Sequence, residues 1–253
     1  MKHLLIPDLQ IKPGVDISHL TWIGNYIADK RPDVIIQIGD AADMPSLSSY
    51  DVGKKSFEGR RYSDDIEVVH EAMSMLMAPI NELNRSLAAS HDKRYKPRMV
   101  LTLGNHENRI TKAVDSDPKL DGTIGLDDLG YADFGWEVHP YLEVVVIDGV
   151  AYSHFYPSGQ MGRAITSARA ILNKMHMSCV AGHLQGRDIA YARRADGTEI
   201  TAIIAGSCYQ HTESYLTPLT NQVWQGIYML HQVHNGSFDE MAVSLDYLGR
   251  KYG

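Results

Sequence analysis

The sequence predicts an α/β fold, and three features carry that expectation. Short, continuously apolar runs such as Val34-Ile35-Ile36-Gln37-Ile38 have the composition of strands buried on both faces of a parallel sheet. Amphipathic helical stripes separate these runs over the first half of the chain. Several of the runs stop abruptly at a turn and continue into Asp, Asn, His or Gln, which places polar side chains at the carboxyl edge of a sheet, where open α/β folds bind ligands.

In order, His3 to Pro7 reads as a strand that ends in Asp8-Leu9-Gln10, and Ile17 to Lys30 as a helix with Leu20, Ile23, Ile27 and Ala28 on one face. Asp33 to Ile38 is a second strand, followed by Gly39-Asp40-Ala41-Ala42-Asp43 and a polar loop to about Tyr62. Ser63 is a candidate cap for the next helix, with Asp64, Asp65 and Glu67 suited to its positive end. Ile66, Val69, Met73, Leu76, Ile80, Leu83 and Leu87 form its stripe, which suits core packing better than a dimer seam, and Pro79 is expected to kink or shorten the helix. Arg98 to Leu103 is a third strand, leading into Gly104-Asn105-His106-Glu107 and a short helix; Asp115 to Gly135 reads as loop.

The second half is strand-rich. Leu142–Ile147 and Val150–Phe155 flank Asp148-Gly149, a hairpin signal, and the second ends at His154. Met161 to Met175 has helical spacing. Ser178 to Ala181 is a strand ending in Gly182-His183-Leu184-Gln185, and Asp188–Ala192, Glu199–Ala205, Trp224–His234 and Met241–Asp246 read as mostly antiparallel strands. No repeat or linker interrupts the sequence, so residues 1–253 are expected to form one domain.

Composition narrows the function. With 44% hydrophobic residues, 253 residues can bury a full core, and no apolar run is long enough to span a bilayer. Two cysteines, Cys179 and Cys208, and a strand-like N-terminus lead to the expectation of a reducing, cytoplasmic setting. A net charge of −7 argues against a general duplex-DNA binder and suits carboxylates gathered around a divalent cation. Asp oxygens, the Asn amide and imidazole together suit Mn²⁺, Fe²⁺ or Zn²⁺.

The strand-ending motifs, in order, are Asp8-x-Gln10, Gly39-Asp40-x-x-Asp43, Gly104-Asn105-His106-Glu107, His154 and Gly182-His183-x-Gln185. Over residues 8 to 185 this series resembles the calcineurin-like metallophosphoesterase family. The resemblance implies a four-layer α/β/β/α sandwich with a dinuclear site, in which Asp40 bridges two ions. Asp8 would belong to the first site, while Asn105, His154 and His183 would complete the second. His106 would be the general acid or a stabiliser of the transition state, its tautomer fixed by Asp43. The chain departs from the family pattern at Gln10 and Gln185, where the family has histidines on the first ion. A glutamine carbonyl is a harder, weaker ligand than imidazole, so the Asp8/Gln10/Gln185 site is expected to favour Mn²⁺ or Mg²⁺, and the Asn105/His154/His183 site Mn²⁺, Fe²⁺ or Zn²⁺.

The implied activity is hydrolysis of a phosphomonoester or phosphodiester by a metal-held hydroxide, with nucleotides and nucleic-acid ends among the candidate substrates. Arg109, one turn after His106, and Arg187 are candidates for contacting substrate phosphate. Aromatics in Tyr209–Tyr215 and Trp224–His234 are candidates for stacking a base. His70, His91 and His176 read as structural, whereas His211, which follows Gly206-Ser207-Cys208, is a candidate to approach the site. The competing reading is a scaffold of the same fold that has lost chemistry and binds a partner. It rests on Gln10 and Gln185, and retention of His106 with Asp43 argues against it.

Overall fold

A computed structural model describes residues 1–213 and 223–253. The apolar runs pair as the two-sided pattern requires. Strands β1 (His3–Ile6), β2 (Val34–Gln37), β3 (Arg98–Thr102) and β4 (Glu137–His139) lie parallel, each beside the next. Strand β10 (Gly226–His234) adds antiparallel to β1, and β11 (Ser237–Ser244) to β10, giving a six-stranded sheet of order β11-β10-β1-β2-β3-β4. The second sheet has order β5-β6-β7-β9-β8, built from β5 (Val145–Ile147), β6 (Val150–Tyr152), β7 (Cys179–Ala181), β8 (Arg187–Arg193) and β9 (Glu199–Ala205). In it β6, β7 and β9 are parallel.

Alternation along each strand divides its side chains between two cores. Leu4, Ile6 and Ile35 face helices α1 (His19–Lys30) and α2 (Tyr62–Ala89), where they meet Leu20, Ile23, Val69 and Met73. Leu5, Val34 and Ile36 face the second sheet and meet Tyr152, Val180 and Ile203. The outer face of the second sheet, through Ala151, Cys179 and Ile204, packs on Ile171 and Leu172 of helix α4 (Ala168–Met175). Helix, sheet, sheet and helix stack in that order, so the fold is the expected α/β/β/α sandwich. Both cysteines are buried and free.

Several local expectations are corrected. Helix α2 runs through Pro79 for 28 residues without ending. Proline lacks the N–H that would bond the Met75 carbonyl, but its ring fills the space left by Gly24 of α1, where a Cβ would lie 2.9 Å from the ring and 2.5 Å from the Leu76 carbonyl. Ser63 is inside the first turn rather than its cap, which is Arg61 with no side-chain bond. Helix α4 starts only at Ala168, where the Ser167 hydroxyl accepts from Ala170 N–H, and Met161 is exposed. Just beyond the expected Asp115–Gly135 loop that follows helix α3 (Asn108–Ser116), Glu137–His139 adds β4, a strand not expected from the sequence, to the sheet edge. Met241–Asp246 is cut by Ser244, which caps helix α5 (Leu245–Tyr252) by accepting from Tyr247 N–H.

The layering brings five parallel strand ends to one edge. Asp8, Asp40, Asn105, His154 and His183 follow β1, β2, β3, β6 and β7 by two or three residues. Backbone bonds lock these loops together: Gln10 N–H donates to the Asp40 carbonyl at 2.9 Å, Gly182 N–H to His154 at 2.9 Å, and Cys208 N–H to Asp8 at 2.8 Å.

Candidate metal centre

Asp40, His154 and His183 each offer a ligand atom to one group in which all three atoms lie within 4.8 Å of one another. The His154 Nε2 also sits 3.0 Å from Asn105 Oδ1 and 3.3 Å from Asp40 Oδ2, while its Nδ1 is 3.0 Å from the Ile38 carbonyl. If Nδ1 donates to that carbonyl, Nε2 is left unprotonated and faces the cluster, the form a metal takes. The His183 ring meets the His154 ring edge-on at 5.2 Å.

Asp8 stands beside this group rather than inside it. Its Oδ1 accepts His183 N–H at 3.0 Å, and its Oδ2 is buried with no hydrogen-bond partner among the described residues. A buried carboxylate oxygen without a donor is costly, and a bound cation would satisfy it. The donor set and this orphaned oxygen fit a divalent metal. Gln185 Oε1 already accepts the Tyr209 hydroxyl at 2.8 Å, a contact the sequence gave no sign of. Gln10, Asp40, His183 and Gln185 all have left-handed φ, between 43° and 69°, a conformation that clusters at functional sites because the fold must hold it in place. Glycine is required at Gly104, where a Cβ would fall 2.1 Å from Asp40 Oδ1.

The electrostatics are those of opposed charges taken out of water. Burial raises the Asp8 pKa to about 7 against the pull of His154. Burial also acts to raise that of Asp40, but the positive charge of His106 and His154 outweighs it and holds the group well below the usual carboxylate range. Burial would lower His154, yet the Asp40 charge beside it lifts the pKa to about 9. His183 is pulled down to about 4 by burial and by the neighbouring His154.

His106 forms the adjoining wall. Its Nδ1 is 2.6 Å from Asp43 Oδ1, and its Nε2 points towards Asp40 Oδ2 at 3.7 Å. Burial works against its charge, but Asp40 and the bond to Asp43 raise its pKa to about 9. Asp43 is held in turn by Arg109 Nη1, which donates to its carbonyl at 2.6 Å and its carboxylate at 3.3 Å, and by Lys12 Nζ at 3.2 Å. Lys12 also pairs with the buried Glu213 at 2.5 Å, which lies 2.6 Å from His211 Nε2. His211 thus reaches the site through Glu213 and Lys12. Arg187 lies over the rings of Trp224 and Tyr228, at 5.3 and 5.8 Å, and lines neither cavity described below. Tyr228 is fully buried, Tyr209 is buried against His211, and Tyr215 lies outside the described residues.

Glu107, to which the sequence assigned no role, ties the motif loops together. Its Oε2 accepts from Asp40 N–H at 3.1 Å and Gly104 N–H at 2.9 Å, and its Oε1 from Ala42 N–H at 2.9 Å and the Tyr131 hydroxyl at 3.2 Å. Only its position inside the Gly-Asn-His-Glu motif hinted at this.

Among the described residues, two cavities open onto the centre. One, of about 860 Å³, is lined by His106, Asn105 and Arg109 with Lys12, Arg60 and Asp51; the other, of about 960 Å³, by Asn105, Arg109 and His183 with Tyr50, Tyr141 and Phe155.

No family model matches the chain. Among curated proteins it is similar to the Gene 54 proteins of Mycobacterium phages D29 and L5, each 28% identical over 106 residues, which is 42% of this chain and 36% of either relative. A solved dimetal phosphatase from Danio rerio aligns over 97% of this chain and 99% of its own, at 11% identity and a TM-score of 0.37. No helix among the described residues is long and apolar enough to cross a membrane.

Proposed function

We propose that the chain is a metal-dependent phosphoesterase of the calcineurin-like kind. The observation that carries this is the convergence of Asp40, His154 and His183 within 4.8 Å, directly beside the Asp43–His106 pair. One divalent ion would be held by Asp40, Asn105, His154 and His183. A second would be held by Asp8, Gln10 and Gln185 with Asp40 shared, and the unpartnered Oδ2 of Asp8 supports that assignment. Bound there, such ions supply Lewis acidity to the phosphoryl oxygens and lower the pKa of water enough for attack near neutrality.

The chain's own residues do the rest. Asp43 keeps the His106 Nδ1 proton in place, so that Nε2 is the atom that hands a proton to the leaving oxygen. Arg109 fixes Asp43 and also borders both cavities, where its guanidinium can meet a non-bridging phosphoryl oxygen. Glu107 keeps the Asp40 and Gly104 loops in register, so that donors approach already arranged. No covalent enzyme intermediate is needed. A partner-binding scaffold would have no use for a buried histidine–aspartate pair aimed at the cluster.

The test is hydrolysis of bis(p-nitrophenyl) phosphate and p-nitrophenyl phosphate by metal-stripped protein, with Mn²⁺, Mg²⁺ or Zn²⁺ restored in turn. Turnover that depends on added Mn²⁺ and disappears in Asp40→Asn supports the reading. No turnover with any ion, or turnover indifferent to Asp40→Asn, would overturn it.

A further inference from the structure

The geometry points to the cavity on the His183 side as a nucleoside site: a base stacks on Tyr50, and a second phosphate meets Lys112 and Arg163. The inference rests on the phosphoesterase reading, because it takes the scissile phosphate to lie at Asn105 and His183, which line the inner end of this cavity.

The two cavities flanking the centre differ in kind. On the His106 side most cations are committed: Lys12 pairs with Asp43 and Glu213, Lys54 with Asp51, and Arg60 with Asp51 and the Pro45 carbonyl, while exposed Arg61 has no side-chain partner among the described residues. On the His183 side, Lys112 of α3 and Arg163 are exposed, and neither side chain has a hydrogen-bond or ion-pair partner among the described residues. Two uncommitted cations, with one carboxylate at Asp115, line a cavity that already contains part of the candidate centre, so an anion there would meet charge that need not first be released from another partner.

Aromatic rings line the same cavity. Phe155 packs on His183 at 4.8 Å, Tyr141 meets Phe155 edge-on at 5.9 Å, and Tyr50 stands on the rim 85% exposed, with no ring partner among the described residues. A large aromatic ring held in water beside a catalytic cleft is the arrangement that stacks a base, independent of its identity. At about 960 Å³ the space exceeds what a phosphate or a single phenol ring fills. Cations beyond the reacting phosphate match a ligand with a phosphate on either side of one sugar. A simple alkyl or aryl ester would leave those cations unused.

The test is equilibrium binding to the full chain, with and without Mn²⁺, so that no turnover is required. Methyl phosphate, phenyl phosphate, thymidine monophosphate and a thymidine bisphosphate phosphorylated on both sugar hydroxyls are compared. Thymidine monophosphate should bind about tenfold or more tighter than methyl phosphate, the scale of one stacked base. Tyr50→Ala should erase most of that ratio, and Arg163→Ala or Lys112→Ala should erase the further gain of the bisphosphate. All three positions are exposed, so the variants are expected to fold. Equal binding of methyl and thymidine phosphates, phenyl phosphate matching the nucleotide, or ratios unmoved by the variants would overturn the proposal. An octathymidylate that binds tighter than the bisphosphate, with a steeper salt dependence, would identify a strand as the source of the nucleotide; equal affinity would identify the free nucleotide. Hydrolysis with flat ratios sinks the groove alone, whereas firm ratios without hydrolysis of any phosphomonoester or phosphodiester sink the phosphoesterase reading.

Discussion

The two walls of the candidate centre are built from different chemistry. One, formed by Asp40, Asn105, His154 and His183, offers two imidazoles and a buried carboxylate whose ligand atoms lie within 4.8 Å of one another. The other, proposed to consist of Asp8, Gln10 and Gln185, would offer one carboxylate and two neutral amides, and one amide carbonyl is hydrogen-bonded to Tyr209. Imidazole and carboxylate bind borderline transition ions firmly, whereas amide oxygens are weak ligands that discriminate least against Mn²⁺ and Mg²⁺. The same sheet edge should therefore hold one ion tightly and a second loosely.

The largest expected effect separates ligation from proton transfer. His106→Ala should lower kcat by about 10² to 10⁴ while metal content stays unchanged, since its Nδ1 is bonded to Asp43 and its Nε2, 3.7 Å from Asp40 Oδ2, is not among the three grouped ligand atoms. Asp43→Asn should act in the same direction, more mildly. A fall in bound metal in His106→Ala would show that His106 belongs to the imidazole wall.

Next comes the tie between the walls. Glu107→Gln places an NH₂ against donors, because both carboxylate oxygens accept, two donors each. Orphaning them should cost on the order of 1 to 3 kcal/mol of stability, and misplacing Asp40 should weaken metal binding about 10- to 100-fold. Urea unfolding and metal titration of the variant measure both; unchanged values would show that the loops hold their register without it.

A smaller effect tests the amide wall. Gln10→His with Gln185→His should raise affinity for a second Zn²⁺ more than for Mg²⁺. Metal analysis of both proteins dialysed side by side checks this, and a single ion in each would mean the amide wall is no ligand set.

The smallest effect concerns what backs that wall. His19 is buried beside Cys208, whose N–H donates to Asp8, and burial pulls its pKa down to about 4. A histidine that the fold keeps neutral contributes stability above its unfolded pKa near 6.5, and that contribution is lost as pH falls towards 4, roughly 2 to 3 kcal/mol at most. The denaturation midpoint should fall less between pH 7.5 and pH 5 in His19→Leu than in the unmodified chain; equal falls would contradict the assignment.

Much of this was legible beforehand, and the reasons are physical. Strands buried on both faces must be continuously apolar, and a chain that leaves such a sheet must stop sharply, so Asp8, Asp40, Asn105 and His183 declare themselves by position. The contacts made by those residues are not local. Lys12 and Glu213 are 201 positions apart, and no pattern in either segment announces their pairing. Glu107 works through backbone N–H groups, which every residue has and no side-chain motif records. Helix α4 was over-extended because Met161 and Ile165 share its period while lying outside it, whereas the capping hydroxyl of Ser167 marks its true start. Pro79 misled for the opposite reason: the α1 glycine that makes room for it lies on another helix.

The most direct test of the two-wall account is titration of Mn²⁺ into the metal-stripped chain, followed by calorimetry, in parallel with His183→Ala. The account predicts two unequal sites, the tighter one abolished by His183→Ala. Two equally tight sites, full occupancy by two Zn²⁺ ions after dialysis, or a tight site that survives the loss of His183 would contradict it.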